Sequence, residues 1–371
     1  MHIGFIGASG KVGRVALQNF YMNNEVEDVR LTLYSRHPLK NKGLLLDIEG
    51  MLAMSHSPFK KRMPIDIIAT DDFSDLKDAD VIIVSAGMWP SKEQFDNFKN
   101  IDNSGRMVQT YVNYELITDL SKNIAIHAPN SLVVIVTNQT DILSEVARQY
   151  LPAEKVLGFG GILDSSRFRT LLVKELKRKK EDGYCHNIYD EKAHVIGYHN
   201  NNMVPLTSTI PSFYTRSVIK RALIKTCQQG GEIARMQRDP SSGDVATGAS
   251  CAPGYAVYRT MLALTGQSTI EESFNVVLSD ETLSNNYGVP QGASLSVPVL
   301  LKLGGYEISQ GYFVTSKERD LLSSANEMFL DEFKKLSVGM ACLEGKNDIL
   351  ERTDVLAESV TLSDEKGELR C

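Results

Sequence analysis

The stretch "HIGFIGASGKVG", residues 2–13, decides the fold. A short apolar run that reads as a buried strand leads directly into a glycine-rich turn and then a helix over residues 11–22. Gly7, Gly10 and Gly13 are the residues such a turn requires. One permits the tight turn, one lets backbone N–H groups approach a pyrophosphate, and one allows close packing of helix on strand. The spacing is GxxGxxG rather than GxGxxG, and its place on the first strand–helix turn favours dinucleotide binding over a plain turn.

The rest of the first half repeats this alternation. Further strand-like runs lie at residues 29–35, 65–70, 79–87 and 131–138, each followed by turn or helix signals. Short, nearly continuous apolar strands separated by helices indicate a parallel sheet covered on both faces. We therefore predict an α/β fold, in which a Rossmann-type doubly wound parallel sheet over residues 1–140 is followed by a mixed α+β substrate domain over 141–340. Residues 341–371 form an acidic tail.

Composition narrows the class of protein. The chain has 371 residues and a net charge of −6, which argues against a nucleic-acid surface. No apolar run approaches the ~20 residues of a membrane span, and no signal-peptide pattern precedes the first strand. The five cysteines lack metal-site spacing and suit a reducing compartment. We therefore expect a cytoplasmic protein without a metal, a nucleic-acid partner or a membrane.

The end of the second strand bears on the choice of cofactor. An NAD-binding chain is expected to place a carboxylate there for the ribose 2′-hydroxyl, whereas this chain has Ser35 and Arg36. A guanidinium can hold a 2′-phosphate through two hydrogen bonds. The sequence therefore favours NADP. In the alternative, Arg36 only stacks on adenine and the cofactor is NAD.

The order of five segments resembles the lactate/malate dehydrogenase family, and its malate dehydrogenase-like branch in particular. These segments are "GASGKVG", "ADVIIVSAG", "VVIVTN", "GFGGILDSSRFRTLL" and "GYHNNNMVPL". The resemblance implies a hydride transfer between a nicotinamide cofactor and a 2-hydroxy or 2-oxo acid, in a homodimer or homotetramer. A nucleotide-binding sensor or scaffold with little turnover is the alternative.

The same resemblance assigns roles to individual residues. His199 would be the proton donor and acceptor, Asp164 would orient it, and Arg167 would bind the substrate carboxylate. Asn138 would lie beside the nicotinamide and the reacting oxygen, and Ser250 would line the pocket opposite. Each role is chemically sensible, since reduction of a carbonyl needs a proton donor and an imidazolium is one near neutral pH.

The chain departs from the family in the active-site loop. The family has two arginines there, one that sets substrate choice and one that polarises the carbonyl. In an ungapped alignment of residues 86–103 their places hold Pro90 and Asp96. Lys92, Lys99 or Arg106 could replace the missing charge. Alternatively, Asp96 matches a cationic substrate and the aromatic residues Trp89, Phe95 and Phe98 match a bulky one, or efficient catalysis has been lost. For the three aromatic residues, packing of the loop against the body of the protein is the favoured interpretation.

Two smaller departures lie nearby. The family's "GEHGD" is "GYHNN" here, and its "TNP" is "TNQ". Gln139 thus removes the proline that would favour a cis bond after Asn138. The pocket is altered in several places around a retained histidine, aspartate and arginine.

Overall fold

The structure of the chain is a computed structural model. The structure describes residues 1–23, 25, 28–54, 65–89, 91, 105–178, 192–237 and 248–344.

The first half of the chain is the predicted doubly wound domain. Five parallel strands come from it: β1 (His2–Ile6), β2 (Val29–Tyr34), β3 (Ile65–Thr70), β4 (Val81–Val84) and β5 (Leu132–Ile135). The helices between them are α1 (Lys11–Asn23), α2 (Pro38–Met54) and α3 (Gly105–His127). Every described residue of β1, β4 and β5 is buried. This is the consequence of helices on both faces and the reason why these strands are continuous apolar runs rather than alternating ones.

The strand order places the glycine turn at the centre of the sheet. Together with β6 (Val156–Gly158), the parallel strands run β6-β5-β4-β1-β2-β3, so that β1 pairs with β2 on one side and with β4 on the other. The chain order reverses at β1. A doubly wound sheet binds its ligand in the crevice beyond the carboxyl ends of the strands at such a reversal. The turn that follows β1 lies at that position.

The second half extends the same sheet instead of forming a separate one. Strand β9 (Ile270–Val277) meets β6 at a single antiparallel pair, Gly158 with Asn275. Strands β10 (Ser294–Lys302) and β11 (Gly305–Ile308) continue outward from β9 in antiparallel fashion, so that this sheet has nine strands among the described residues. A separate two-stranded ribbon joins β7 (Val195–Ile196) to β8 (Val204–Pro205).

Six helices complete the described part of the second half. They are α4 (Thr140–Arg148), α5 (Gly160–Arg178), α6 (Arg216–Met236), α7 (Cys251–Leu264), α8 (Glu281–Tyr287) and α9 (Ser316–Glu344). Helix α7 packs on α1 through Gly254, where a β-carbon would lie 2.5 Å from a side-chain atom of Val15. A larger residue at Gly254 would therefore separate the two halves of the molecule.

Two apolar clusters hold these elements together. The large cluster spans the nine-stranded sheet and its helices and includes residues of both halves, such as Phe5 and Phe274. The small one lies between α5 and α6, with Phe168, Leu172 and Val218 at its centre. Because one core runs through both halves, the boundary predicted near residue 140 marks a change of topology and does not separate two cores. The division into domains stays a prediction.

Candidate active site

The glycine turn is built as its sequence predicts. Gly7 has φ of +93°, in the left-handed region, and a β-carbon there would come within 2.4 Å of the backbone nitrogen of Ala86. A β-carbon at Gly13 would meet the carbonyl of Ala8 at 2.4 Å. Gly10 follows in the turn, where its N–H donates to the carbonyl of Gly7 at 3.0 Å. Any side chain at Gly7 or Gly13 would force the backbone apart, so both glycines are required by the fold.

Ser35 and Arg36 follow β2, beside this turn. The Ser35 hydroxyl accepts a hydrogen bond from the backbone N–H of His37 at 3.1 Å, which caps the strand end. Arg36 and His37 are both exposed. A serine and two basic side chains thus stand at the strand end where a carboxylate was expected for NAD.

Asn138 lies at the end of β5, between β5 and α4. The peptide bond from Asn138 to Gln139 is cis although Gln139 is not a proline. The neighbouring Thr137 hydroxyl donates to the carbonyl of Ala86 at 2.6 Å, which joins this segment to the one that follows β4. Asn138 is therefore held near residues 85–88, at the same edge of the sheet as the glycine turn.

The central feature of the site is a hydrogen-bonded contact between side chains of two elements. Asp164 is on α5 and His199 follows the β7 segment, and the His199 Nδ1 lies 2.7 Å from an Asp164 carboxylate oxygen. Asp164 is 2% exposed, so its carboxylate is almost completely removed from water. A buried carboxylate on Nδ1 fixes the ring orientation and leaves Nε2 to exchange a proton with a substrate.

A second contact holds the backbone of the histidine. Asp141, in the first turn of α4, accepts a hydrogen bond from the His199 N–H at 2.5 Å. Gly160 lies directly against His199, since a β-carbon at Gly160 would come within 2.4 Å of the His199 β-carbon. Residues of α4 and α5 therefore hold His199, which itself lies in the loop after β7.

Arg167 completes the group. It lies one helical turn after Asp164 on α5, and its Nη1 is 3.7 Å from the other Asp164 carboxylate oxygen. Its side chain is 13% exposed and lies beside Gly230 on α6, where no side chain intervenes. A guanidinium in this position can bind both oxygens of a carboxylate and hold an acid substrate against His199.

The structure brings together some of the predicted residues and leaves others apart. His199, Asp164 and Arg167 form one cluster, and Asn138 belongs to the neighbouring sheet edge. Ser250 immediately precedes the first residue of α7 and its side chain makes no capping hydrogen bond. That Ser250 lines the substrate pocket stays a prediction.

Most of the divergent loop lies outside the described residues. Pro90, Lys92, Phe95, Asp96, Phe98 and Lys99 are among those left out, as is the side chain of Arg106. Trp89, at the loop's start, is 47% exposed. Both interpretations of the three aromatic residues, packing against the body of the protein and contact with a bulky substrate, therefore stay predictions, and so does the role of Asp96.

Sequence reasoning missed the supports of this site. Asp141 and Gly160 were not singled out, although Gly160 lies in the quoted segment "GFGGILDSSRFRTLL" and Asp141 lies three residues after the quoted segment "VVIVTN". Asn113, on α3, was missed as well: its side chain accepts from the N–H of Met88 at 2.8 Å and donates to the Met88 carbonyl at 3.0 Å. These two bonds tie the start of the divergent loop to α3.

Comparisons with known proteins bear on the whole chain. A family model described as "lactate/malate dehydrogenase, NAD binding domain" matches residues 1–158. A malate dehydrogenase from Methanosarcina mazei is 28% identical over 347 residues, which cover 91% of this chain and 99% of that protein. A malate dehydrogenase from Nitratiruptor is 25% identical over 86% of this chain and 90% of its own length.

Solved structures share the fold. The malate dehydrogenase of Salinibacter ruber superposes with a TM-score of 0.71 at 21% identity, covering 93% of this chain and all of that one. The lactate dehydrogenase of Eimeria maxima, solved with NADH and oxamate, gives 0.71 at 20% identity over 92% of this chain. The chain has the fold of the lactate and malate dehydrogenases. That agrees with the Rossmann-type sheet predicted from the sequence.

Two further observations concern membranes and metal ions. Among the described residues, no helix is long and apolar enough to cross a membrane. In the same part of the chain, no group of three or more metal-ligating side chains is placed to hold a metal ion.

Proposed function

We propose that the chain is a member of the lactate/malate dehydrogenase family and an oxidoreductase that transfers a hydride between a nicotinamide cofactor and a 2-hydroxy or 2-oxo acid. The observation that carries the proposal is the His199–Asp164–Arg167 group, which combines a proton carrier, the carboxylate that orients it and a cation that can bind a carboxylate. The family model over residues 1–158 and the similarity to curated malate dehydrogenases support the same reaction.

The mechanism follows from the geometry of this group. Arg167 holds the carboxylate of the acid, which puts the neighbouring carbonyl or hydroxyl carbon against His199. The bound cofactor supplies or accepts the hydride. Nε2 of His199 gives a proton to the oxygen during reduction and takes it back during oxidation, while Asp164 stabilises the imidazolium form.

We further propose that the cofactor is NADP. Arg36 is exposed at the end of β2, and Ser35 and His37 stand on either side of it. These residues fit a 2′-phosphate, and none of residues 34–37 at the end of β2 has a carboxylate for a 2′-hydroxyl. Three of the similar solved structures, from Plasmodium falciparum, Eimeria maxima and Cryptosporidium parvum, were solved with NADH or with nicotinamide adenine dinucleotide. A preference of this chain for NADP would differ from the cofactors in those structures.

We propose that Asn138 contacts the nicotinamide side of the site and that Ser250 and Asp96 contact the substrate. Asp96 would select an acid with a cationic side chain. We also propose cytoplasmic localisation and a homodimer or homotetramer, as the resemblance implies.

The test separates binding from turnover. Titration with NADPH and NADH, followed by fluorescence, is expected to show binding of both and tighter binding of NADPH. Oxidation of the bound cofactor is then measured with a panel of 2-oxo acids that differ in the charge of the side chain. Cofactor binding without turnover on any acid would favour the alternative, a nucleotide-binding sensor or scaffold.

A further inference from the structure

The residue before His199 is buried against a helix that does not hold the histidine ring. Tyr198 is 1% exposed, and its ring stacks on Phe329 of α9 with 4.3 Å between the ring centroids and 14° between the ring planes. Its hydroxyl donates a hydrogen bond to the side-chain oxygen of Asn326, also on α9, at 2.8 Å. Two consecutive residues are thus attached to different elements, Tyr198 to α9 and His199 to α4 and α5.

One face of α9 receives the segment that contains these two residues. The residues of that face are spaced by four, four and three positions, which places their side chains on one side of a helix. They are Glu318, Leu322, Asn326 and Phe329, all almost completely buried. Glu318 accepts hydrogen bonds from the N–H and the hydroxyl of Thr207, both at 2.7 Å. The face therefore holds the segment at two points, Tyr198 and Thr207.

The residue before Tyr198 is fixed by the large sheet. Gly197 donates its N–H to the carbonyl of Ser296 on β10 at 3.0 Å, and its carbonyl accepts from the Ser296 N–H at 2.8 Å. With Gly197 held by β10 and Tyr198 by α9, the backbone that carries His199 has little freedom to move. Such restraint matters for a reacting group, because a displacement of about 1 Å can reduce a rate about a hundredfold.

The contact with α9 also accounts for one departure from the family, the "GYHNN" in place of "GEHGD". A buried tyrosine needs an apolar partner for its ring and an acceptor for its hydroxyl, and Phe329 and Asn326 supply them. Burial raises the pKa of the Tyr198 phenol well above its usual range, so the hydroxyl stays a donor. Asn326 is buried as well, so its oxygen could not replace this donor with bulk water.

We propose that Tyr198 is a positioning residue for His199, and that its hydrogen bond to Asn326 sets the place from which the imidazole reaches the substrate oxygen. The role rests on the proposed function, because it concerns the proton transfer assigned there to His199. The Tyr198 side chain is engaged by α9, so it acts through the backbone of His199. Arg167 has contacts of its own, so binding of the acid should not depend on Tyr198.

The experiment uses the full chain and removes the hydroxyl. Tyr198→Phe keeps the ring on Phe329 and loses only the bond to Asn326. Turnover at saturation with the best 2-oxo acid is expected to fall about tenfold, while the Michaelis constant and the cofactor affinity stay the same. A loss of packing alone would not separate these constants in this way.

Thr207→Val is the matched control. It removes a hydroxyl that bonds to Glu318 on the same face of α9, but leaves Tyr198 in place. We expect it to keep normal turnover. Unchanged turnover in Tyr198→Phe, or an equal loss in Thr207→Val, would overturn the proposal.

Asn326→Leu tests the same bond from the side of α9, and decides the matter if Tyr198→Phe does not fold. It leaves the phenol without its acceptor, so turnover should again fall. The double variant, with Tyr198→Phe and Asn326→Leu together, removes both partners and should lose no more turnover than either single variant. Losses that multiply in the double variant would show that the two residues act separately, which would overturn the proposal.

A spectroscopic readout separates this proposal from the proposed function. The ring signals of His199 are recorded by NMR in protein labelled on histidine, and are identified by their absence in His199→Asn. They are expected to move or broaden in Tyr198→Phe and to stay in place in Thr207→Val. If no acid is turned over, the proposed function fails, and the ring signals still decide whether Tyr198 positions the histidine. Unchanged ring signals in Tyr198→Phe would overturn the positioning role.

Discussion

His199 and Asp164 are joined by a 2.7 Å contact across two elements of the second half, and the carboxylate is almost completely buried. The carboxylate has His199 at one oxygen and Arg167, at 3.7 Å, beside the other. The pair therefore sets the orientation of the imidazole ring: Nδ1 faces Asp164, and Nε2 is left to exchange a proton with the substrate.

Asp164→Asn tests that pairing. The amide keeps the shape but can no longer stabilise an imidazolium, so we expect turnover to fall by about a hundredfold or more while cofactor binding stays the same. Steady-state kinetics and a fluorescence titration of the cofactor measure the two quantities. Asp280→Asn, at the N-terminus of α8, is the matched control and should not change turnover. Loss of cofactor binding in Asp164→Asn would indicate a folding defect instead.

Arg167→Lys tests the substrate carboxylate. A lysine is a point charge that cannot bind both oxygens at once, so the Michaelis constant should rise by about tenfold or more, with a smaller effect on turnover at saturation. Kinetics with one acid over a range of concentrations separate the two constants. An unchanged Michaelis constant would show that the carboxylate binds elsewhere.

Arg36→Ala tests the cofactor proposal. Loss of a charged hydrogen bond of about 1.5–3 kcal/mol should weaken NADPH about ten- to a hundredfold and leave NADH almost unchanged. Titration of both cofactors measures the ratio of affinities. An NAD preference that Arg36→Ala leaves as it was would contradict the proposal.

The loop carries a fourth prediction. Asp96→Arg restores a cation at the place where the family has one, and should raise the rate with pyruvate or oxaloacetate at least tenfold if the ungapped alignment holds. The rates of Asp96→Arg and of the unsubstituted protein are compared with pyruvate and with oxaloacetate. No gain would mean that the loop has another register, and that Lys92, Lys99 or Arg106 supplies the charge.

Much of the fold followed from the sequence because its strands are continuous apolar runs and its glycine turn has a fixed position. The extension of the sheet through β9 did not, because one backbone pair between Gly158 and Asn275 leaves no pattern in the sequence. His199, Asp164 and Arg167 were found through the resemblance, and the geometry brings them together. Asp141 and Asn113 were missed because a side chain that holds a backbone N–H gives no periodic signal.

The central claim is that His199 exchanges a proton with the substrate. The most direct measurement is turnover of His199→Asn with the best 2-oxo acid, compared with cofactor binding in the same variant. The account predicts a loss of about a hundredfold or more in turnover with cofactor affinity unchanged. Near-normal turnover in this variant would contradict it.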